Sequence, residues 1–482
     1  MTHPRLLGGV WLILGTAASA LGTTLDVPAT YSTIQQAIAA SSNGDTVLVG
    51  EGIYKENITF LDRNIVVASL FLLDGDRAHI SATVIDGSSP ADPDTASCVR
   101  IIGGQTRAAA LIGFTLTGGT GTAWYDPPTT GWYREGGGIL INDCSPRILF
   151  NLIKDNLATT ISSGLTSAGG GGIRTGFGAP LIQNNTIRSN QGRYGAGIVV
   201  NYDDAEIRNN VILLNSGGSA YGGGGIWVYG MGHTAVIENN TIVQNSVSGM
   251  APSTEPRGKG GGILVWSTGA LLRNNILWGN SAAEAPQIKV ISGTMTYYNN
   301  DIEGKATANG GITADPLFDE TALNLLSPGS PCIDAGYDDA AYEDREDPDA
   351  SGNALYPSMG GLRGDIGAYG GPGAALLPEE ASSGVVEPRH QPAFPRNSRL
   401  ISNYPNPFNP AATVTWYLAR QERVRISVFD ALGREVALLR EDVLPAGNGS
   451  ASFDGTGMAS GVYFIRLKTS TVTDTRRMTL VR

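Results

Sequence analysis

Asp203 and Asp204 stand side by side, and His233 follows thirty residues after the first of them in the run GMGHT. Two carboxylates with a nearby imidazole are what hydrolysis of a glycosidic bond uses: one acid held protonated for the leaving oxygen, and one base activating water. Asp is also favoured at turns for its local hydrogen bonds, so the same residues read equally as a chain corner. The acidic stretch YDDAAYEDREDPDASGN starts like a calcium loop at Asp347, Asp349, Ser351 and Gly352, but Ser358 holds the twelfth position, where a bidentate Glu belongs. A solvated loop is the expectation there; no cofactor is expected, with calcium the one candidate. Cys98, Cys144 and Cys332 are the only cysteines, so at most one internal disulfide can form, and a Cys without a paired His reads as a small buried hydrophobe. No phosphate loop, HExxH or GxSxG elbow is present.

The elements that must position these residues announce themselves by repetition. GGGIL, GGGIR, GAGIV, GGGIW and GGGIL place Ile139, Ile173, Ile198, Ile226 and Ile263 equivalently. Twelve residues after four of them come Asn151, Asn185, Asn210 and Asn275, while Asn240 comes fourteen after Ile226 because of a short insertion. Five residues beyond each lies another Asn: Asn156, Asn190, Asn215, Asn245 and Asn280. A degenerate sixth copy runs from Ile288 to Asn300. The physical reading is a coil of about 25 residues made of short strands and turns, each stacked on the next at the β spacing of about 4.8 Å. Apolar alternation at period two, as in IVVN and IWVY, excludes a helical solenoid, and the pattern of a leucine-rich horseshoe is missing. The expected fold is therefore all-β, with the isoleucines as an inward column and the asparagines as a hydrogen-bonded ladder.

If each repeat Ile points inward, the following residue points out, giving Leu140, Arg174, Val199, Trp227, Leu264 and Lys289; two further on come Asn142, Gly176, Asn201, Tyr229, Trp266 and Ile291. Flat rings beside hydrogen-bonding groups suit sugars, whose C–H faces stack while hydroxyls are met at the edge. Arg174, Asn201, Trp227, Tyr229, Trp266 and Lys289 are thus the expected ligand-binding residues, facing a polysaccharide or cell-surface glycan. Insertions at 157–168, 216–221 and 246–259, and the segment carrying Trp124, Tyr125, Trp132 and Tyr133, cluster at one corner and would wall a groove.

The net charge of −11 and 65 glycines argue against a nucleic-acid surface and for a turn-rich β protein. Residues 1–20 read as a signal peptide, with Arg5, an apolar run and Ala18-Ser19-Ala20; no later stretch approaches a transmembrane length. Ile34, Ala37 and Ile38 share one face of an amphipathic helix that would cap the open end of the stack. The β-helix is expected over 21–374, a Pro-, Glu- and Ser-rich linker over 375–399, and a small β-sandwich over 400–482, with a hairpin turn at DALGRE.

TIQQAIAASSNGDTVLVGEGIYKENITF and the NN-x-I repeats resemble the pectin-lyase-like, right-handed parallel β-helix superfamily across roughly residues 24–375. SPCIDAG…DIGAYGGPG, with Cys332, Asp334 and Asp365, resembles the closing piece that follows such repeats. Asp203-Asp204, Gly232-His233 and Gln287-Ile288-Lys289 partly follow the polygalacturonase order of an Asp pair, Gly-His and Arg-Ile-Lys. The preceding Asn-Thr-Asp is absent and Gln287 replaces the Arg, while a lyase reading lacks an acid cluster beside Arg174 or Lys289. Tyr404, Pro405, Asn406, Pro407, Phe408 and Asn409, with FDALGREV and GVYFIRL, resemble the flagellar-hook-capping Ig-like and type IX secretion sorting domains. That resemblance implies type IX-like export machinery as a partner and a secreted or surface location. Glycan binding, polysaccharide hydrolysis or lysis, and a purely structural envelope role are the competing functions.

Overall fold

The computed structural model describes residues 22–159, 164–217, 221–248, 258–319, 323–379, 398–404, 408–418, 422–430, 433–444, 447–470 and 472–481. The expected signal peptide, most of the linker, and Pro405, Asn406 and Pro407 lie outside these residues. The chain divides into two compact units, with the boundary after Ala381.

The first unit is the right-handed parallel β-helix. One coil shows the plan: Ile173–Gly176, Leu181–Gln183 and Thr186–Arg188 each pair in parallel with Ile198–Asn201, Glu206–Arg208 and Val211–Leu213 of the next coil. Three columns of strands result. Ile139, Ile173, Ile198, Ile226, Ile263 and Ile288 are register neighbours in the first, and all are buried. Ile148, Ile182, Ile207, Ile237 and Leu272 form the second inward column; Ile153, Ile187, Ile212, Ile242 and Leu277 form the third. Each aliphatic side chain taken from water contributes about 1.5–3 kcal/mol, which one coil alone could not realise. The two long strands Ile263–Arg273 and Ile288–Tyr298 run through the first corner, with a register shift that pairs Trp266 with Ser292 rather than with Ile291.

The corner between the second and third columns explains why asparagines come in pairs. Asn184, Asn209, Asn239, Asn274 and Asn299 hold φ between 47° and 57°, a region Asn tolerates better than most residues. The next residue turns inward and joins the ladder. Asn210 Oδ1 accepts from Asn185 N at 2.9 Å and Asn185 Nδ2 at 3.0 Å, while Asn210 Nδ2 donates to Ile182 O, Arg208 O and Asn240 Oδ1 at 2.8, 2.9 and 3.0 Å. The same bonds recur from Asn151 to Asn300, and a parallel ladder runs from Asn156 to Asn280. Sequence separations along the first ladder are 34, 25, 30, 35 and 25, so length variation is placed in loops while the corners stay in register.

The first Asn of several pairs does separate work on the outside. Asn209 Nδ2 donates to Ala368 O and Gly370 O at 3.1 and 2.8 Å, Asn274 Oδ1 accepts from Tyr337 N at 2.8 Å, and Asn299 Nδ2 donates to Ala335 O and Gly336 O at 3.0 and 3.1 Å. These clamp the closing piece along the coil stack. Within it, Asp365 accepts from the backbone N–H groups of Asp334 and Met359 at 2.9 and 2.8 Å. At the other end, the helix Ile34–Ala40 buries Ile34, Ala37 and Ile38 and is capped by Thr33. The Glu56 carboxylate accepts from Ile34 N and Gln35 N at 2.9 Å each, where an anion suits the helix N-terminus. Cys98, Cys144 and Cys332 are buried and none is in a disulfide.

The second unit packs two antiparallel sheets. Arg399–Tyr404, Ala411–Leu418 and Gly447–Asp454 form one; Glu435–Leu444, Glu422–Asp430, Gly461–Lys468 and Thr473–Leu480 form the other. Phe408, Trp416, Ile426, Val428, Phe453 and Ile465 are buried between them. This is the expected Ig-like arrangement, and Gly433, with φ 77°, stands at the DALGRE turn.

Candidate functional site

An antiparallel hairpin, Gly121–Asp126 with Gly131–Glu135, pairs Trp124 with Tyr133 and Tyr125 with Trp132. Thr95–Ala96 and Ser167–Gly169 extend it to four strands. Strand alternation sends the first pair inward and the second outward. Trp124 and Tyr133 therefore wall a cavity over the first column, while Tyr125 and Trp132 are 43% and 50% exposed.

The hairpin is fastened at Glu135, which is buried. Its Oε2 accepts from Trp124 Nε1 at 2.6 Å and Arg174 Nε at 3.1 Å, and its Oε1 accepts from the Tyr194 hydroxyl. The Arg174 guanidinium carbon lies 3.6 Å from the Trp124 ring centroid, and Nη1 donates to Ile141 O and Asn142 Oδ1 at 2.9 and 2.8 Å. Burial pushes the Glu135 carboxyl up, opposed by Arg174 and by the Tyr194 and Trp124 donors. A buried pair with this many hydrogen bonds positions neighbours; breaking it leaves an uncompensated charge.

Above this floor lies a cavity of about 140 Å³. The hairpin contributes Trp124, Asp126, Thr129, Tyr133 and Glu135. The coil face contributes Asn201, Trp227, Tyr229 and Trp266, and the intervening loops contribute Tyr194 and Tyr221. The rings support one another: Trp227 meets Trp266 edge-on at 5.9 Å and lies tilted against Tyr194 at 5.5 Å and Tyr221 at 5.6 Å, and Tyr229 lies 5.3 Å from Trp266. Trp227 Nε1 donates to Asn201 Oδ1 at 3.2 Å. A cavity of about 150 Å³ holds benzene, so this one has room for a single six-membered ring.

Four of the six expected ligand-binding residues, Asn201, Trp227, Tyr229 and Trp266, meet here. Arg174 does not face solvent as its place in the outward column suggested: it is fully buried under the hairpin. Lys289 stands apart, paired with Glu284. The open groove along the strand face is replaced by a roofed cavity, because the hairpin covers the column.

Asp204 and His233 do meet, with Oδ2 3.2 Å from Nδ1, and Asp204 Oδ1 accepts from Thr234 N at 2.8 Å. Asp203 departs from them. Tyr202 holds φ 52°, and after that turn the Asp203 carboxylate is buried and accepts from Thr175 Oγ1, with burial pushing it up to about 6. The expected catalytic trio is thus split between interior and surface. Gln287 serves the second ladder, accepting from Asn280 Nδ2 at 2.6 Å. The stretch after Asp347 forms a turn in which Asp347 Oδ1 accepts from Asp349 N at 2.9 Å; among the described residues no group of three or more His, Cys, Asp or Glu is arranged to hold a metal ion. Asp126, Glu135, Tyr194 and Tyr221 escaped sequence reasoning, although the alternation in AWYD and WYRE was the signal for the hairpin.

Residues 402–481 match the secretion system C-terminal sorting domain, and residues 129–304 match the right handed beta helix region. No curated protein matches the chain. Among solved structures, a pectin methylesterase in complex with hexasaccharide VII aligns at a TM-score of 0.34 and 11% identity, covering 62% of this chain and 94% of that one. A pectin methylesterase mutant in complex with hexasaccharide IV aligns at 0.31 and 11%, with the same coverage. The sorting tail indicates secretion or cell-surface attachment and implies type IX export, and among the described residues no helix is long and apolar enough to cross a membrane. The chain is a right-handed parallel β-helix repeat protein that carries a C-terminal secretion sorting domain.

Proposed function

We propose that the β-helix of this secreted or surface-attached protein binds carbohydrate, taking one sugar ring into the cavity beneath the hairpin. The observation that carries this reading is the convergence of aromatic side chains with Asn201, Thr129 and Asp126 around a space of about 140 Å³. Rings give a sugar's C–H faces a stacking surface, and the polar groups meet its hydroxyls at the edge. Binding is favoured over hydrolysis because Glu135 is committed to three donors and because Asp203 and Asp204 face different surroundings.

The test is a fluorescence titration of the full chain with oligosaccharides of neutral, acidic and amino sugars, since Trp124, Trp227 and Trp266 all line the cavity. Saturable quenching is expected, and Trp266→Ala should weaken it about 3–10-fold, the worth of one stacked ring at about 0.5–1.5 kcal/mol. Saturable binding that Trp266→Ala leaves untouched, or no binding across the panel, would overturn the reading.

A further inference from the structure

We infer that the sugar this cavity takes carries a free ammonium group, so that its ligand is an amino sugar rather than a neutral or acidic one; the inference rests on the carbohydrate reading above. The charges around the cavity do not cancel. Glu135 is paired with Arg174, whose Nε and Nη1 are taken by that carboxylate, Ile141 O and Asn142 Oδ1 and whose guanidinium lies on the Trp124 ring, with Nη2 buried and without a hydrogen-bond partner among the described residues. Its positive charge is therefore spent behind the wall.

Among the described residues Asp126 has no such partner. It lines the cavity and is 3% exposed; Oδ2 accepts from Thr129 Oγ1 at 2.6 Å, and Oδ1 has no hydrogen-bond partner among the described residues. A buried acceptor left open is unfavourable, the more so when charged, and a ligand N–H beside it would recover that cost. The rings of Trp227, Tyr229 and Trp266 also line the cavity, and an aromatic face attracts a cation through its quadrupole. A uronate carboxylate would meet Asp126 as a like charge. A quaternary ammonium would bring charge but no N–H for Oδ1. A protonated amine on a sugar ring supplies a stacking surface, a positive charge and the donor together.

The experiment is calorimetric titration of the full chain with tetramers of glucosamine, N-acetylglucosamine and galacturonate. The glucosamine tetramer is expected to bind at least tenfold more tightly than its acetylated counterpart, and the galacturonate tetramer should not compete. Asp126→Asn should remove most of that preference, the glucosamine tetramer losing far more affinity than its acetylated counterpart, and Trp266→Ala should weaken both in like proportion. Equal affinity for the two glucosamine forms in the unaltered protein overturns the charge assignment and leaves the carbohydrate reading standing; this comparison needs no variant to fold. A preference that survives Asp126→Asn overturns it too, by assigning the attraction to the acidic chain at large. Absence of binding by all three tetramers removes the inference together with the reading beneath it.

Discussion

Replacing Arg174 by Met tests whether the cavity is assembled by the buried Arg174–Glu135 pair. The substitution keeps an unbranched apolar stem but deletes the 3.1 Å contact to Glu135, two bonds to Ile141 O and Asn142 Oδ1, and the stack on Trp124. Glu135 would keep Trp124 and Tyr194 as donors with no charge to balance it. Breaking one side of such a buried pair costs about 3–5 kcal/mol. Glu135→Gln strands the guanidinium instead and should cost a similar amount. If the loss is mainly an uncompensated charge, the double variant removes the cause of both, and it should be about 2–3 kcal/mol less destabilised than the sum of the singles. Urea unfolding of the β-helix transition measures all four proteins, with near-ultraviolet circular dichroism reporting on the packed tryptophans. Additivity within about 0.5 kcal/mol, or a loss below about 1 kcal/mol in either single variant, would show that the pair does not fasten the hairpin.

Asn210→Ala, in the middle of the ladder, leaves the buried Asn185 N–H without its acceptor and deletes four further bonds; a loss of about 3–5 kcal/mol in chemical denaturation is expected. Asp203 carries a carboxyl raised by burial from the ordinary 3.8 to about 6. Its contribution is therefore most favourable below the unfolded value, is lost as pH rises from about 4 to about 6, and stays lost above that. Asp203→Asn should remove this dependence and raise stability at pH 8 by about 2–3 kcal/mol, while leaving stability at pH 4 nearly unchanged, when unfolding is compared across that range. Tyr125→Ser with Trp132→Ser removes an exposed cross-strand pair 5.7 Å apart and should cost no more than about 1 kcal/mol, with ligand titration unaffected. Lys289→Ala should leave the same titration unchanged, because its ammonium is engaged by Glu284 away from the cavity.

The coil was legible in the sequence because stacking forces identical chemistry to recur at identical phase. An inward aliphatic meets an inward aliphatic, and within the ladder each Asn meets another Asn one coil away. For the same reason Ile34, Ala37 and Ile38 revealed the cap, and the alternating strands after residue 400 revealed the sandwich. The site was less legible. Period-two alternation correctly sent Arg174, Asn201, Trp227, Tyr229 and Trp266 out of the coil, but outward from a strand is not the same as exposed. Whether an outward residue meets water depends on what the rest of the chain lays over it, and one hairpin closing over the first column turned Arg174 into a buried ion and Trp227 into part of a cavity wall. Asp203 was misread because a single left-handed residue, Tyr202, redirected it inward, and φ is not visible in a residue's identity unless it is Gly or Asn. The first Asn of several pairs hid its second task because its partners lie far along the chain, from 36 residues for Asn299 and Ala335 to 161 for Asn209 and Gly370. Local periodicity thus determined the scaffold and its inner face. The roof, the carboxylate pairing and the cavity were decided only by tertiary contacts between segments whose spacing carries no period.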